Sequence, residues 1–347
     1  MLLSKIDKIN IHLWITAIIL LVLIYFCTVI GIISAHFADL GYPCFFAHVV
    51  DYDSLNITQY NVMHQLTPQL YLDGVQIYLY VWSMTCVFTL LVLYYVICGY
   101  RVYKNKNNVL KINQSTRDIQ CIGDIVTCLL ASTCLSSFYI YIVTLSYRAI
   151  YVAALIHTFL FMVYTILITT LTTRYQAYEK TYFETARIHP KLRTTIQIKT
   201  VVINILQWSL GLCTVTTTLT LGLTFGNSFY VKTITVLFSS MNSFIVVFSL
   251  YCTIIECILC KYMKTQFGYL IGILCAIIAL TVLVLKYERI YDTIYVRSIV
   301  TNIICMFIIW LIFFIVRLIR YFRAKNNYRL ILPAYDEPVE TNEDTED

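Results

Sequence analysis

Long apolar runs separated by short polar connections dominate the chain. Each run is close to the 20 or so apolar residues that an α-helix needs to cross a bilayer core about 30 Å thick. The pattern contains eight such runs, and we predict a membrane-spanning helix for each. The predicted spans cover approximately residues 13–33, 75–98, 122–143, 150–172, 201–223, 234–255, 269–285 and 299–318. Most of the connections are short, which is typical of antiparallel neighbours in one helix bundle.

The composition supports the same fold class. Hydrophobic residues make up 59% of the 347 positions and charged residues only 13%, which lies far outside the range of soluble domains. We therefore predict an all-α integral membrane protein, an eight-span transmembrane helix bundle over residues 13–319. The sequence shows no nucleophile paired with a base, no phosphate-binding loop and no HExxH zinc motif. We predict no enzymatic activity, no cofactor, no metal site and no nucleic-acid partner.

Lysine and arginine are distributed unequally between the two sides of this map. Most of the 25 basic residues fall in the terminal segments or in alternate connections on the same side. The exceptions are Arg148, Lys232, Lys286, Arg289 and Arg297. Cytoplasmic loops carry an excess of Lys and Arg, so we predict that both termini are cytoplasmic. Residues 1–12 would form the N-terminal segment and residues 320–347 the C-terminal tail.

The first translocated loop, residues 34–74, contains aspartates but no Lys or Arg. Of the 13 cysteines, only Cys44 is predicted to face the oxidising side of the membrane. It has no mate there within the chain, so it either remains a free thiol or pairs with another chain. We favour an interchain disulfide, with either a second copy or a different protein as partner. Asn56 in the sequon "NIT" is the predicted N-glycosylation site of the same loop.

Ionisable and amide side chains are few in and next to the predicted spans. They include Asp124, His157, Gln207, Asn242, Glu256 and Asn302. Hydrogen bonds between helices explain such a scatter, and we weigh a proton path through His157 and Glu256 as a less favoured alternative.

Small and hydroxylated residues predict how helices pack. In the run "CTVTTTLTLGLTFG" the hydroxyls are expected to bond back to the preceding turn. Gly222 with Gly226, and Gly268 with Gly272, form small-xxx-small pairs that allow close helix approach. We interpret both pairs as helix-packing sites first and as oligomerisation sites second.

The cytoplasmic segments combine basic and acidic stretches. The loop before residue 201 is long enough for a short helix ended by Pro190, and its basic charge favours contact with anionic membrane lipids. The tail changes from "RLIRYFRAK" to "DEPVETNEDTED", which predicts disorder over residues 320–347. The segment "YRLI" looks like a tyrosine-based endocytic signal, and the acidic block resembles a Golgi-retrieval cluster. The residues concerned are Tyr328, Ile331, Asp336, Glu337, Glu340, Glu343 and Asp344.

Several short stretches resemble one viral family in order along the chain. They are "LGYPC" at 40–44, "HVVD" at 48–51, "YNVMH" at 60–64, "NQSTRD" at 113–118, "HPKL" at 189–192, "FGN" at 225–227, "QFGY" at 266–269 and "RYFR" at 320–323. With these motifs the chain resembles herpesvirus envelope glycoprotein M, in particular its betaherpesvirus members and the roseolovirus branch among them.

The resemblance implies an eight-span, non-enzymatic envelope protein. It implies that Cys44, in the matching "GYPC", forms a disulfide with the small glycoprotein N. It further implies roles in virion assembly, secondary envelopment and egress, and transport of the partner to the trans-Golgi network. Endosomes and the inner nuclear membrane are expected locations besides the virion membrane, and host sorting adaptors and tegument proteins are expected partners at the cytoplasmic face. The alternative class is a multi-pass receptor, transporter or ion conductor.

Overall fold

The computed structural model consists of helices joined by connections. It describes residues 2–36, 75–105, 118–147, 149–176, 190–229, 231, 233–260, 266–287 and 293–335. Within these ranges all regular structure is helical. Eight helices follow in chain order: α1 (Leu2–His36), α2 (Val75–Asn105), α3 (Ile125–Ser146), α4 (Ile150–Gln176), α5 (Pro190–Phe229), α6 (Thr233–Cys257), α7 (Gly268–Tyr287) and α8 (Thr293–Tyr335).

Seven of these helices have a stretch long and apolar enough to cross a membrane, counted over the described residues. The helix outside this group is α7, whose described apolar stretch, Gly268–Val282, is shorter. All 20 residues of α7 together reach about 30 Å. The chain is thus an all-helical, multi-pass membrane protein.

The third predicted span begins too early. Residues 118–122 form a separate helical turn, and α3 starts only at Ile125. Gly123 has a positive φ of 145°, and Asp124 caps α3 by accepting a hydrogen bond from the backbone N–H of Thr127 at 3.1 Å. An aspartate that caps a helix satisfies one of the unpaired N–H groups of the first turn. The apolar pattern runs through this break because Ile122 and Ile125 flank it.

Side chains of two other helices, α1 and α2, form hydrogen bonds to the backbone at this break. The indole Nε1 of Trp14, in α1, donates a 2.7 Å hydrogen bond to the carbonyl of Gly123. The hydroxyl of Tyr94, in α2, donates at 3.0 Å to the carbonyl of Ile122. Two carbonyls that lie outside regular helix pairing are therefore satisfied by side chains of α1 and α2, as buried backbone groups require.

Helix α5 lies at the centre of the bundle. It packs against α2, α4, α6 and α7, while α1 packs on α2 and α3, and α8 packs on α6 and α7. Between α2, α3 and α4 the core is aromatic: the Phe88 ring lies 5.7 Å from that of Phe138 and 5.8 Å from that of Tyr164. Large apolar side chains also cover the outside, for example Leu155 and Ile30. Helices that are apolar all round suit a lipid surrounding.

Contacts between helix ends show which ends lie together at one side of the bundle. Lys199, near the start of α5, donates to the carbonyl of Cys121 at 2.8 Å. The start of α1 reaches the same region through Trp14 and Gly123. The charged part of α8 meets the last turn of α6 through Arg317 and Glu256. We call this end of the bundle, where Trp14, Lys199, Glu256 and Arg317 lie, the basic end.

Two expectations concern the segments next to the spans. The short helix expected before Pro190 falls on residues 177–189, outside the described part of the chain, and Pro190 itself is the first residue of α5. A proline fits the first helical position because its missing N–H has no intrahelical acceptor there. Disorder was predicted over residues 320–347; α8 is helical to Tyr335, and residues 336–347 lie outside the described part of the chain. A helix that leaves the bilayer can continue, since its backbone bonds are made internally and its basic side chains are good helix formers.

We predict that Gly123→Ala destabilises the fold. The backbone strain of a non-glycine residue at this φ costs about 1–3 kcal/mol, and a Cβ atom would lie 2.7 Å from Thr127 Oγ1 and 2.8 Å from Tyr95 Oη. The midpoint of thermal unfolding in detergent should fall. Gly99→Ala is the matched control, because its Cβ would meet only the movable end of the Ile18 side chain. Equal midpoints for the two variants would contradict the prediction.

Candidate functional site

The loop predicted to be lumenal is attached at its two ends to helices that contact each other. Cys44 and Asn56 lie outside the described residues. The segment that contains them connects the end of α1 to the start of α2, opposite the basic end. The Tyr25 hydroxyl of α1 lies 2.8 Å from Thr89 Oγ1 of α2, so the two helices that hold this segment are joined by a hydrogen bond.

The predicted trafficking residues are placed only in part. Tyr328 and Ile331 belong to the helical end of α8, and their side chains lie outside the described part of the structure. The acidic residues of the predicted signal lie outside the described ranges altogether. These are Asp336, Glu337, Glu340, Glu343 and Asp344.

Both glycine pairs lie in helix contacts within the chain. Gly222 and Gly226 face Ser240 and Val236 of α6, and a Cβ at Gly226 would lie 2.5 Å from Val236 Cγ2. Gly268 and Gly272 face the backbone of α5 at Asn204 and Trp208. Backbone-to-backbone approach of this kind needs residues without side chains. A homodimer through these faces would have to displace α6 or α7.

One asparagine of α5 determines where α7 begins. Asn204 Oδ1 accepts hydrogen bonds from the backbone N–H of Phe267 at 3.0 Å and of Gly268 at 3.2 Å. These groups are the unpaired donors at the start of α7. The cap comes from a neighbouring helix instead of from the residue before α7, so no local N-cap motif announces it in the sequence.

A buried polar cluster surrounds His157. Its side chain is fully buried, with Nε2 2.8 Å from the Tyr80 hydroxyl of α2 and Nδ1 3.0 Å from Thr217 Oγ1 of α5. Thr217 donates its own proton to the carbonyl of Cys213 at 2.7 Å. Thr217 therefore accepts from Nδ1–H, and in the neutral imidazole the Tyr80 hydroxyl donates to Nε2. The Tyr141 ring completes the cluster at 4.5 Å.

These bonds make His157 a link between α2, α4 and α5. The chain of donors ends at a backbone carbonyl, which cannot pass a proton on. Glu256 lies at the basic end, where it shares a cavity with Gln207 of α5. Thr217, the partner of His157, follows Gln207 by ten residues, which is about 15 Å of helical rise. The observed contacts confirm the expectation that intramembrane polar residues pair between helices. Asn302 and Asn242 also pair, at 3.4 Å.

A charged clamp joins α6 to α8 at the basic end. Glu256 Oε1 lies 2.8 Å from Arg317 Nε, and Oε2 lies 2.9 Å from Arg320 Nη1. Arg320 also donates to the backbone carbonyl of Glu256. The Glu256 and Arg317 side chains are 8% and 4% exposed, so this is a buried ion pair. Cations at the C-terminal end of α6 also match the negative end of its dipole.

A small polar cavity adjoins the clamp. Gln207 Nε2 of α5 donates a 2.7 Å hydrogen bond to Gln266 Oε1, just before α7. Both glutamines, Glu256 and Arg317 line a cavity together with Tyr269, and it has room for about one water molecule. Side chains from α5, α6, α7 and α8 thus meet in one polar region at the basic end.

A second polar region lies at the start of α5. Lys199 is 2% exposed and donates to Cys121, as described above, while Arg101 Nη1 of α2 donates to Thr195 Oγ1 at 3.2 Å. Burial raises the pKa of the Cys121 thiol, and the charge of Lys199 opposes that rise. At neutral pH Cys121 is therefore a protonated thiol that serves as a structural contact.

Comparison with known proteins decides the family. Residues 7–331 match the model of the family described as Herpesvirus glycoprotein M. The chain belongs to this family. It is 36% identical over 332 residues to envelope glycoprotein M of Murid herpesvirus 1, strain K181, covering 95% of this chain and 94% of that protein. No solved structure matches the chain at a significant level.

Other relatives extend over nearly the whole chain. Envelope glycoprotein M of human cytomegalovirus, strain Merlin, is 32% identical over 340 residues, covering 97% of this chain and 92% of that protein. Envelope glycoprotein M of human herpesvirus 7, strain JI, is 35% identical over 344 residues, covering 99% of each. The resemblance found in the motifs, roseoloviruses included, is confirmed. With its apolar helices, the chain is a multi-pass viral envelope protein of the virion membrane.

Sequence reasoning identified the buried polar residues but did not identify the side chains that they contact. Glu256 and His157 were both singled out, yet their partners Arg317, Tyr80 and Thr217 were not. Only the helix–helix arrangement brings these residues together. A signal for the clamp exists in the sequence, since Arg317 and Arg320 are spaced i and i+3 and thus share one face of α8.

We predict that Glu256→Gln loosens α8 from α6. The substitution leaves the buried guanidinium of Arg317 without its carboxylate, a loss of about 3–5 kcal/mol for a buried pair. The thermal midpoint of the purified protein should fall, and α8 should become more sensitive to protease. Asn302→Ala is the control, because its contact is long and exposed. The double variant Glu256→Met with Arg317→Met should recover part of the loss; a double variant no more stable than Glu256→Gln would contradict the clamp.

Proposed function

We propose that the chain is a non-enzymatic scaffold of the viral envelope that forms a disulfide with glycoprotein N through Cys44. The observation that carries this proposal is the family match, which extends over residues 7–331 and so includes the loop with "GYPC". In this proposal the pair acts in virion assembly, secondary envelopment and egress. The chain carries its partner to the trans-Golgi network and also occupies endosomes and the inner nuclear membrane.

We further propose eight membrane spans with both termini cytoplasmic. The clamp supports this count, because it joins the C-terminal end of α6 to Arg317 and Arg320, near the C-terminal end of the apolar stretch of α8, Val296–Arg323. Helix α7 connects these two parallel helices, so it has to run back through the same thickness. Trp310, seven residues before Arg317 in α8, donates a hydrogen bond from Nε1 to the carbonyl of Leu270, early in α7, and this contact fits an antiparallel pair.

The charge of the basic end supports its cytoplasmic assignment. Arg101, Lys199, Arg317 and Arg320 all lie there, and cytoplasmic segments retain Lys and Arg. The segment with Cys44 then lies on the opposite, oxidising side, where an interchain disulfide is stable. In this orientation the end of α8, with Tyr328 and Ile331, presents its sorting residues to host adaptors and tegument proteins.

No described contact favours a receptor, a transporter or an ion conductor. The intramembrane residues that suggested conduction, His157 and Glu256, have partners at different depths of the bundle. Their packing supports a static bundle, in which polar groups join helices instead of lining a path.

We predict that Cys44→Ser abolishes the disulfide-linked pair. After co-expression with glycoprotein N, the wild-type chain should run on non-reducing electrophoresis as a larger species that reductant removes. The Cys44→Ser chain should run as a monomer, while Cys305→Ser, which changes a cysteine within the apolar stretch of α8, should behave as wild type. A wild-type pair that runs no higher than Cys44→Ser, or a larger species formed without glycoprotein N, would contradict the proposed partner.

We predict that tags at the two ends of the chain respond alike to protease. In cells whose plasma membrane alone is permeabilised, both tags should be digested, since both ends face the cytosol. A protected tag at one end and a digested tag at the other would rule out an even number of spans. Protection of both would reverse the orientation.

A further inference from the structure

Two asparagines lie on the outer surface of the bundle, where α6 meets α8. Asn302 Nδ2 donates a hydrogen bond to Asn242 Oδ1 at 3.4 Å, and this contact is exposed. By helical rise, Asn242 lies about 12 Å from Ile234, where the apolar stretch of α6 begins, and about 21 Å from Glu256 of the clamp. The two amides therefore lie within the hydrocarbon core, away from both of its edges.

The bond between the two asparagines uses only part of their hydrogen-bonding capacity. An amide side chain has two N–H donors and a carbonyl oxygen with two lone pairs. Within the described residues, Asn242 Nδ2 and Asn302 Oδ1 have no hydrogen-bond partner. Asn204 in α5 differs, because its Nδ2 donates to the carbonyl of Thr200 at 3.0 Å while its Oδ1 caps α7. Hydrocarbon supplies no partner to an amide, so the spare groups of Asn242 and Asn302 require a polar group from outside the chain.

The surface around Asn242 allows a helix to approach. Thr235 and Ser239 are exposed on the turns before Asn242, and Val246 is exposed on the turn after it. Their spacings of four, three and four residues form one stripe along α6, as in helix pairs that cross at a shallow angle. The Ser239 hydroxyl is already bonded to the carbonyl of Val236 at 2.9 Å. Small side chains thus surround an amide that still needs a partner. We call Thr235, Ser239, Asn242, Val246 and Asn302 the amide face.

Helix α8 leaves the amide face open towards the lipid. Only 17% of the most apolar part of α8 is buried within the bundle, the lowest share among the seven long apolar helices, whereas α5 reaches 61%. Helix α8 packs on α6 and α7, and Asn242 between α6 and α8 remains exposed. No other described helix therefore covers the groove at this depth.

We infer that the amide face binds the amide face of a second copy of the chain. All copies inserted in one membrane with the same orientation carry Asn242 at the same depth, so two copies bring identical amides together. A two-fold axis along the membrane normal makes this contact self-complementary. The Nδ2 of each Asn242 then donates to the Oδ1 of the other, and the second lone pair of that oxygen still accepts from Asn302.

A second copy fits this surface better than an unrelated membrane helix does. An unrelated helix completes the amides only if it carries a donor and an acceptor at the same depth, whereas a second copy always does. The contact involves neither Cys44 nor glycoprotein N, and it holds for either orientation of the chain in the membrane. It is therefore independent of the proposed function.

Subunit counting in lipid tests the amide face. The full-length chain carries Cys44→Ser, which removes any dimer linked through that cysteine, and one fluorophore at its C-terminus. It is reconstituted into lipid vesicles over a range of protein-to-lipid ratios, and photobleaching steps are counted. The chain should bleach mainly in two steps. Asn242→Leu should weaken the dimer about tenfold, since hydrogen bonds between membrane helices are lost.

Two further variants separate the amide from a general change of the surface. Asn242→Gln keeps an amide and should keep most of the dimer. Thr133→Leu also removes an exposed polar group about 12 Å into a span, but its hydroxyl bonds to the carbonyl of Leu129 at 2.9 Å, so the dimer should be unchanged. A monomeric parent chain, or an Asn242→Leu chain that dimerises as strongly as its parent, overturns the proposal.

Crosslinking tests the same surface with Asn242 intact. Val246→Cys, in the Cys44→Ser chain, places a thiol on the amide face, and mild oxidation of membranes should link two copies more than it links the parent chain. Met162→Cys in α4 is the matched control, because Met162 is 59% and Val246 56% exposed, and each lies twelve residues from the start of its apolar stretch. Equal linking by the two variants overturns the proposal. Linking that appears only after co-expression with glycoprotein N also overturns it, because the surface then belongs to a complex with that protein.

Discussion

Hydrocarbon offers no hydrogen-bond partner to a polar group, and this constraint explains most of the specific contacts in the bundle. Wherever a helix breaks or carries a polar side chain, another helix supplies the missing partner. Trp14 bonds to the carbonyl of Gly123, Asn204 caps α7, and Thr217 and Tyr80 complete His157. Apolar side chains alone would not distinguish one helix arrangement from another in lipid. The polar contacts provide that distinction.

The same constraint explains why α5 is central. Its threonines bond back to carbonyls one turn earlier, as Thr214 does to Leu210 at 2.8 Å and Thr220 does to Thr216 at 2.6 Å. Those bonds confirm the expectation from the threonine run, and they let a hydroxyl-rich helix pack without unpaired groups. The glycines of α7 then bring its backbone against that of α5. Close contact and internal pairing together make α5 the helix on which four others pack.

Hydropathy predicted the helices well because each apolar run has to match a bilayer thickness. It failed at Gly123, where the break in the helix depends on backbone geometry and not on polarity. It identified Glu256 and His157 as unusual but could not pair them, since their partners lie far along the chain. The candidate lumenal site was inferred from charge distribution and from family motifs, and its residues, Cys44 and Asn56, lie outside the described part of the chain.

The clamp also bears on how the protein is completed during synthesis. Glu256 enters the membrane before the ribosome has made Arg317 and Arg320, so a nascent or truncated chain exposes a carboxylate at the end of α6 with neither cation in place. A buried, unpaired charge is costly, and α8 removes that cost when it docks. Docking of α8 therefore supplies both of the cations that the Glu256 carboxylate meets in the folded bundle.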